Sequence, residues 1–332
     1  MAEINLVEAV ALALARAMRD DERVLVLGED VGVNGGVFRA TLGLIEKFGP
    51  GRVRDTPLSE AVIPGLCIGL AAQGFRPVGE IQFMGFIYPA IDQLINHASR
   101  LRLRTRGRLT CPMVIRAPFG GGIHAPEHHS ESMEAMFAHI PGLRVVIPSS
   151  PARAYGLLLA AIRAPDPVVF LELKRIYRAF CENVADDGLA MELDKCIALR
   201  SGRDVTLVTW GAMTRETLKA ADALAARGIE ADVIDVATLK PLDFESIRAS
   251  CERTGRCVIV HEAPLTGGFG GEIAARLVEH CMTSLLAPVV RVTGYDTVMP
   301  LPRLEGRYMP SVSRPVDAAT AAMGCSCRPS SC

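Results

Sequence analysis

Apolar positions along the chain fall into two alternating periods. Leu6, Val10, Ala13, Leu14 and Ala17 recur at three-to-four-residue spacing, which predicts a helix. Residues 23–27 (RVLVL) form a short β-branched run ending at Gly28, the pattern of a buried strand. Residues 58–73 are rich in small apolar side chains and read as a tightly packed helix. Residues 76–83 read as a strand, 90–103 as a helix and 112–117 as a strand. Residues 143–147, 152–162 and 167–173 continue as strand, helix and strand. Such alternation predicts a mostly parallel sheet covered by helices.

The pattern weakens over residues 174–203, a partly polar stretch with an acidic run at 182–187, which reads as a linker with some local structure. A second alternating block follows. Residues 204–210, 231–235, 257–261 and 288–292 read as strands, with helices over 214–227, 244–253 and 271–281. The expected architecture is α/β, with two domains joined near residues 180–200 and no evident internal repeat.

Composition narrows the functional classes. A chain of 332 residues has room for two domains of ordinary size. With 22% charged residues and a net charge of −1, it gives no electrostatic reason to expect nucleic acid. No apolar run reaches the ~18–20 residues of a membrane span, and the start (Met1-Ala2-Glu3-Ile4-Asn5) lacks the pattern of a secretory signal. The 10 cysteines are scattered without paired metal spacing, and Cys325, Cys327 and Cys332 lie in a Ser/Pro/Cys tail without histidine. That usage fits a reducing cytoplasm, and a mitochondrial matrix only for a chain processed from a transit peptide.

Three segments hold candidate chemistry. In Asp55-Thr56-Pro57-Leu58-Ser59-Glu60, Pro57 and Ser59 stand at an expected helix start. Glu60 would fall in the first turn, where an acid also simply complements the helix dipole. In residues 119–132, Gly120, Gly121 and Gly122 follow a strand and lead to His124, His128 and His129. The adjacent pair His128-His129 points two ways on any regular element, so a shared metal ion is not expected. A loop histidine is a candidate general acid/base, and a structural role stands beside it. Gly267-Gly268-Phe269-Gly270-Gly271 precedes a helix without a Walker lysine, so tight strand-to-helix packing is favoured over anion binding.

Taken in order, these segments resemble one family. The runs are Gly28-Glu29-Asp30-Val31-Gly32, Gly35-Gly36-Val37-Phe38-Arg39, Lys47-Phe48-Gly49 and the segment 55–60. Glu80-Ile81-Gln82-Phe83, Asp92-Gln93, the three glycines at 120–122, and His129-Ser130 with Ser132 continue them. So do Pro141-Gly142-Leu143, Phe170-Leu171-Glu172, residues 238–243, His261-Glu262-Ala263 and Tyr308-Met309-Pro310. Together they are similar to the beta subunits of thiamine-diphosphate-dependent 2-oxoacid dehydrogenases, over about residues 3 to 323.

The resemblance implies a transketolase-like fold. A pyrimidine-binding domain would span residues 1–185, a linker 186–203, a transketolase C-terminal domain 204–323, and a disordered Cys-rich tail 324–332. It implies activity only with an alpha subunit, in an alpha2-beta2 heterotetramer. That partner would hold the diphosphate and Mg2+ through a Gly-Asp-Gly motif, which this chain lacks. It further implies a lipoyl transacylase core as a second partner, with neither nucleic acid nor membrane.

By the same resemblance, Glu60 is the cofactor-activating glutamate, bonded to a pyrimidine nitrogen with its pKa raised by shielding from water. Phe86 packs on the pyrimidine face, Gln82 lines the pocket, and both serve equally as core residues. Glu29 joins an acidic relay or is a polar strand-end residue. His129 assists acyl transfer to the lipoyl disulfide, with Glu131 where many relatives have Gln. Met113, Ala161, Ile162, Ala164 and Asp166 match positions that bind structural potassium in some relatives. Residues 119–132 point to pyruvate as substrate. Residues 261–265 and 293–297 point to branched-chain 2-oxoacids, and acetoin cleavage is a third option. A non-catalytic scaffold anchoring the transacylase core is the reading from another class.

Overall fold

The computed structural model describes residues 2–324; the tail expectation beyond Gly324 lies outside the described residues. The first half is built on a seven-stranded sheet. Its order in space is Thr238–Lys240, Arg144–Val146, Val168–Leu173, Val114–Phe119, Arg76–Glu80, Val24–Gly28, Val53–Asp55. All neighbours are parallel except the first pair. Val114–Phe119 and Val168–Leu173 are buried at every position, as central parallel strands with both faces covered must be. Helix Leu6–Asp20 packs its apolar stripe against Pro151–Arg163. Asn5 and Glu8 cap its start reciprocally: the Asn5 side chain accepts from Glu8 N (3.1 Å), and the Glu8 carboxylate accepts from Asn5 N (2.9 Å).

The second sheet runs Val290–Gly294, Cys257–Pro264, Val205–Thr209, Ala231–Asp235, Ile197–Arg200. Ile197–Arg200, inside the expected linker, is its antiparallel edge strand. Thr238–Lys240 crosses the other way and closes the edge of the first sheet against Arg144–Val146. A three-residue strand is too short to show a period, so it left no trace in the hydrophobic pattern. Among the described residues, no helix is long and apolar enough to cross a membrane.

Three element boundaries differ from expectation, and each has a local cause. The helix expected over 58–73 is Val62–Ala72, so Glu60 sits in the turn before the helix rather than in its first turn. Pro64 explains the shift: it has no N–H, so it belongs in the first turn, where the backbone donors have no intrahelical partner. The helix expected over 90–103 breaks at His97, where Ser99 Oγ donates back to Ile95 O (2.8 Å). The strand from Arg76 ends at Glu80. The chain then turns outward through Gln82 and Phe83 into a short 3-10 turn, Met84–Phe86.

Glu80, Arg116 and Glu172 sit near the ends of three adjacent central strands and form a buried ionic cluster. The fully buried Arg116 guanidinium reaches Glu80 Oε2 (2.6 Å), Glu172 Oε1 (2.6 Å) and Glu172 Oε2 (2.8 Å). Tyr177 OH donates to Glu172 Oε2 at 2.7 Å. Burial pushes the Glu80 carboxyl up against the opposing pull of Arg116. Burial also works against the Arg116 charge, but Glu172 and Glu80 outweigh it. Removing the cation would leave two carboxylates facing each other without water. Arg116→Leu is therefore expected to destabilise the chain by about 3–5 kcal/mol. An unshifted denaturant midpoint would show that the cluster is dispensable.

Candidate functional site

The face built at the carboxyl ends of the first sheet begins with Glu29, directly after strand Val24–Gly28. Glu29 is 5% exposed, and its Oε1 is buried without a hydrogen-bond partner. Burial pushes its carboxyl above the ordinary range. Nearby Glu60 and Asp30 push the same way, and the Ser59 backbone N–H opposes them. The structure thus brings Glu29 and Glu60 together, although they lie in separate loops. Of the two, Glu29 is the buried one and Glu60 is half-buried, the reverse of the expected shielding. Asp55, at the end of the next strand, anchors the neighbouring turn by accepting from Gly32 N (2.6 Å).

Gln82 Nε2 donates to Asp30 Oδ2 (3.3 Å), which ties the second predicted loop to the first. Phe83 and Phe86 follow on the same turn and meet edge to face at 5.7 Å. His129 stands against both rings, 4.6 Å from Phe83 and 5.2 Å from Phe86. Its Nδ1 is buried without a partner, whereas His128 packs outward on Phe86 and Tyr88. Gly85 makes this seating possible: a Cβ there would lie 1.8 Å from His128 O. The Glu131 carboxylate receives Tyr88 OH, and the Glu131 carbonyl receives Gly120 N (2.8 Å). Glu29, Glu60, Gln82, Phe86 and His129 therefore lie along one continuous surface.

Several contributors had no warning in the sequence. The loop 120–132 that presents His129 is held by Glu262 and Glu305, both 130 or more residues away along the chain. Lys174 is buried with Nζ unpaired, 5.6 Å over the Phe83 ring. Burial pushes this amine down to about 8, while Glu262 and Glu305 pull the other way. Phe83 was legible as part of the motif 80–83. Glu262 lay in the motif 261–263, but its role as acceptor for a loop far along the chain had no local mark, and neither Glu305 nor Lys174 was in any motif.

The carbonyls matched to potassium already have donors. Arg76 Nη1 reaches Ile162 O (2.9 Å) and Ala164 O (3.2 Å), Val168 N donates to Met113 O (3.0 Å), and Ala164 N donates to Ala161 O (3.2 Å). The Asp166 side chain is engaged by Arg102 Nε at 2.7 Å. Among the described residues, no group of three or more His, Cys, Asp or Glu is placed to hold a metal ion.

Comparison with known proteins places this geometry. Residues 2–179 match the family described as transketolase, pyrimidine binding domain, and residues 194–314 match transketolase, C-terminal domain. The chain is 49% identical over 311 residues to the pyruvate dehydrogenase E1 component subunit beta of Bacillus subtilis (strain 168). That similarity covers 94% of the chain and 96% of the relative. It is 46% identical over 323 residues to the protein of the same description from Staphylococcus epidermidis, covering 97% and 99%. Among solved structures, a split gene transketolase, an inactive beta4 tetramer, superposes with a TM-score of 0.81 at 26% identity. The superposition covers 98% of this chain and 100% of that one.

Glu134 opens the helix that follows the histidine loop. It accepts from Trp210 Nε1 (3.1 Å) on the second sheet and is fully buried. Burial pushes its carboxyl up to about 7. An unfolded glutamate ionises near its ordinary value of about 4.3, so the folded state holds a proton that the unfolded state has released. Stability should therefore fall as pH rises through that window and stay lower above it. Glu134→Gln keeps an acceptor for Trp210 and removes the titration. Its thermal midpoint should exceed that of the parent at pH 8 and match it more closely at pH 5. Parallel pH profiles would exclude this group as the source.

Proposed function

The chain belongs to the family of pyruvate dehydrogenase E1 component beta subunits, built on a transketolase pyrimidine-binding and C-terminal fold, and from that membership we propose that it works with an alpha subunit to decarboxylate pyruvate oxidatively and acetylate a lipoyl transacylase. The pyruvate-named relatives span nearly the whole chain, including the regions that suggested branched-chain substrates. That coverage favours pyruvate over branched-chain 2-oxoacids or acetoin. The observation that carries an enzymatic reading over a scaffold is the surface itself: paired carboxyls beside a ring cluster, with buried acceptors left free at Glu29 and His129.

These residues fit the pyrimidine half of thiamine diphosphate. The partnerless Oε1 of Glu29 and the half-buried Glu60 offer acceptors to ring nitrogen donors, and Phe86 offers an apolar face. When bound, the coenzyme supplies the electron sink that decarboxylation of a 2-oxoacid requires. Glu60 would hydrogen-bond a pyrimidine ring nitrogen. Glu29 would line the same region, with burial pushing its carboxyl above the ordinary range. Gln82 orients the wall through Asp30. His129 exchanges a proton at the lipoyl sulfur during acyl transfer.

The alpha partner has its own support. Helix Val62–Ala72 is apolar on nearly all sides, which fits a buried helix, yet Leu58, Val62 and Leu66 are 83%, 41% and 45% exposed beside Glu60. We propose that the alpha chain covers this stripe in an alpha2-beta2 tetramer and brings the diphosphate and Mg2+ site. A potassium ion at Met113, Ala161, Ile162, Ala164 and Asp166 would use second lone pairs on carbonyls that already have donors. The proposed units are a pyrimidine-binding domain at 1–185, a linker at 186–203 whose Ile197–Arg200 pairs with the second sheet, and a C-terminal domain at 204–323, working in the cytoplasm.

Glu60→Gln is expected to preserve the tetramer and reduce decarboxylation at least 100-fold, measured as pyruvate-dependent dye reduction; parental turnover would remove Glu60 from the chemistry. The chain supplied with thiamine diphosphate and Mg2+ but no alpha subunit should be inactive. Sustained activity of the isolated chain would overturn the shared-site reading.

A further inference from the structure

Residues 120–132 leave strand Val114–Phe119, carry His129 on a short 3-10 turn and enter helix Glu134–Ala138. The outer side of this loop borders a cleft of about 550 Å³ shared with Pro264, Thr266 and Tyr308, so close packing does not fix it there. Besides Tyr88 and the aromatic turn, two carboxylates from the other half of the chain hold it. Glu262, 4% exposed, accepts from Gly121 N (2.5 Å) and Ser132 Oγ (2.9 Å) through Oε1. Glu305, 2% exposed, accepts from Gly122 N (2.5 Å) and His124 N (3.1 Å), and its Oε2 lies 2.8 Å from His124 Nδ1. The bonds grip the loop on both sides of His129 in sequence, and the acceptors project from strand Cys257–Pro264 and helix Pro302–Tyr308.

The local sequence is fitted to this grip. Gly120 has φ +80°, and a Cβ there would lie 2.7 Å from Glu262 Oε1, so a larger residue would displace the carboxylate. Hydrogen bonds from N–H to a carboxylate are about twice as strong as neutral ones. Lys174 supplies a nearby buried positive charge, and its Nζ lies over Phe83, the ring that His129 packs against. The same group of residues thus touches the loop ends and the wall behind the histidine.

We propose that Glu262 and Glu305 are positioning residues for His129: the second domain seats the histidine loop by accepting its backbone N–H groups, and so controls acyl transfer more than decarboxylation. This rests on the reading of His129 as the acyl-transfer group. The two carboxylates form no bond with substrate, and no additional chemical step is required. The second domain thereby acts on the reaction as well as on assembly, and the strength of its docking is felt at one catalytic step.

The test uses the tetramer reconstituted with its alpha subunit and two assays. One is dye-linked decarboxylation of pyruvate; the other is reductive acetylation of an isolated lipoyl domain. Misseating a group by about an ångström costs on the order of 100-fold in rate. Glu262→Ala should therefore lower kcat for lipoyl acetylation roughly 10- to 100-fold. KM for the lipoyl domain should change little, and the loss in dye-linked turnover should be several times smaller. Glu262→Gln, whose amide oxygen still accepts from Gly121 N, should recover most of the lost rate. Equal losses in both assays, or no loss in either, would overturn the proposal. If Glu262→Ala does not assemble, Ser132→Ala removes one donor and keeps the carboxylate, and the same split is required of it. His129→Ala run in parallel separates the two claims. If that variant acetylates the lipoyl domain at the parental rate, the reading of His129 fails and takes the proposal with it. If it is impaired while the clamp variants are not, the proposal alone fails.

Discussion

Glu80, Arg116 and Glu172 belong to three adjacent parallel strands, and one guanidinium joins the other two side chains near the strand ends. Each of these strands runs directly into a loop of the functional surface. The strand of Glu80 gives Gln82, Phe83 and Phe86; that of Arg116 gives the glycine run and His129; that of Glu172 gives Lys174. In a parallel sheet, a slip of one residue would turn every side chain to the opposite face. A buried ion pair contributes little net stability compared with well-packed apolar groups. Both carboxylates reach a single cation with no water available, a geometry tied to this alignment of the three strands. The loops of Gln82, Phe86, His129 and Lys174 start from these three strands, and those of Glu29 and Glu60 from the two beside them.

Two further constraints refine the loops. Pro64 delays the start of its helix, so Glu60 stays on an irregular turn within reach of Glu29. Gly85 leaves room for the His128 carbonyl, so the histidine loop can lie against the aromatic turn. The second half of the chain completes the arrangement from outside. Thr238–Lys240 extends the first sheet, Trp210 reaches Glu134, and Glu262 and Glu305 hold the loop ends. The two sheets are therefore tied together by hydrogen bonds between distant parts of the chain.

The surface is incomplete in a particular sense. It has buried polar atoms without partners at Glu29 and His129, an apolar helix with an exposed stripe, and one acid, Glu29, pushed upward by burial. A coenzyme and a second subunit would meet them, in line with the family to which the chain belongs.

Hydrophobic periodicity alone determined the α/β class, the division into two alternating blocks and most of the central strands, because buried parallel strands and their covering helices have local, repeating requirements. The candidate roles of Glu29, Glu60, Gln82, Phe86 and His129 came from the family resemblance; position after a strand alone left ordinary structural roles open for each. The sequence could not reveal that Thr238–Lys240 joins the first sheet, that Glu29 and not Glu60 is the more buried acid, or that the His129 loop hangs from Glu262 and Glu305. Those features depend on which distant groups meet after the chain has closed. Burial and hydrogen-bond partnership belong to the packed structure, and one-dimensional spacing carries no record of them.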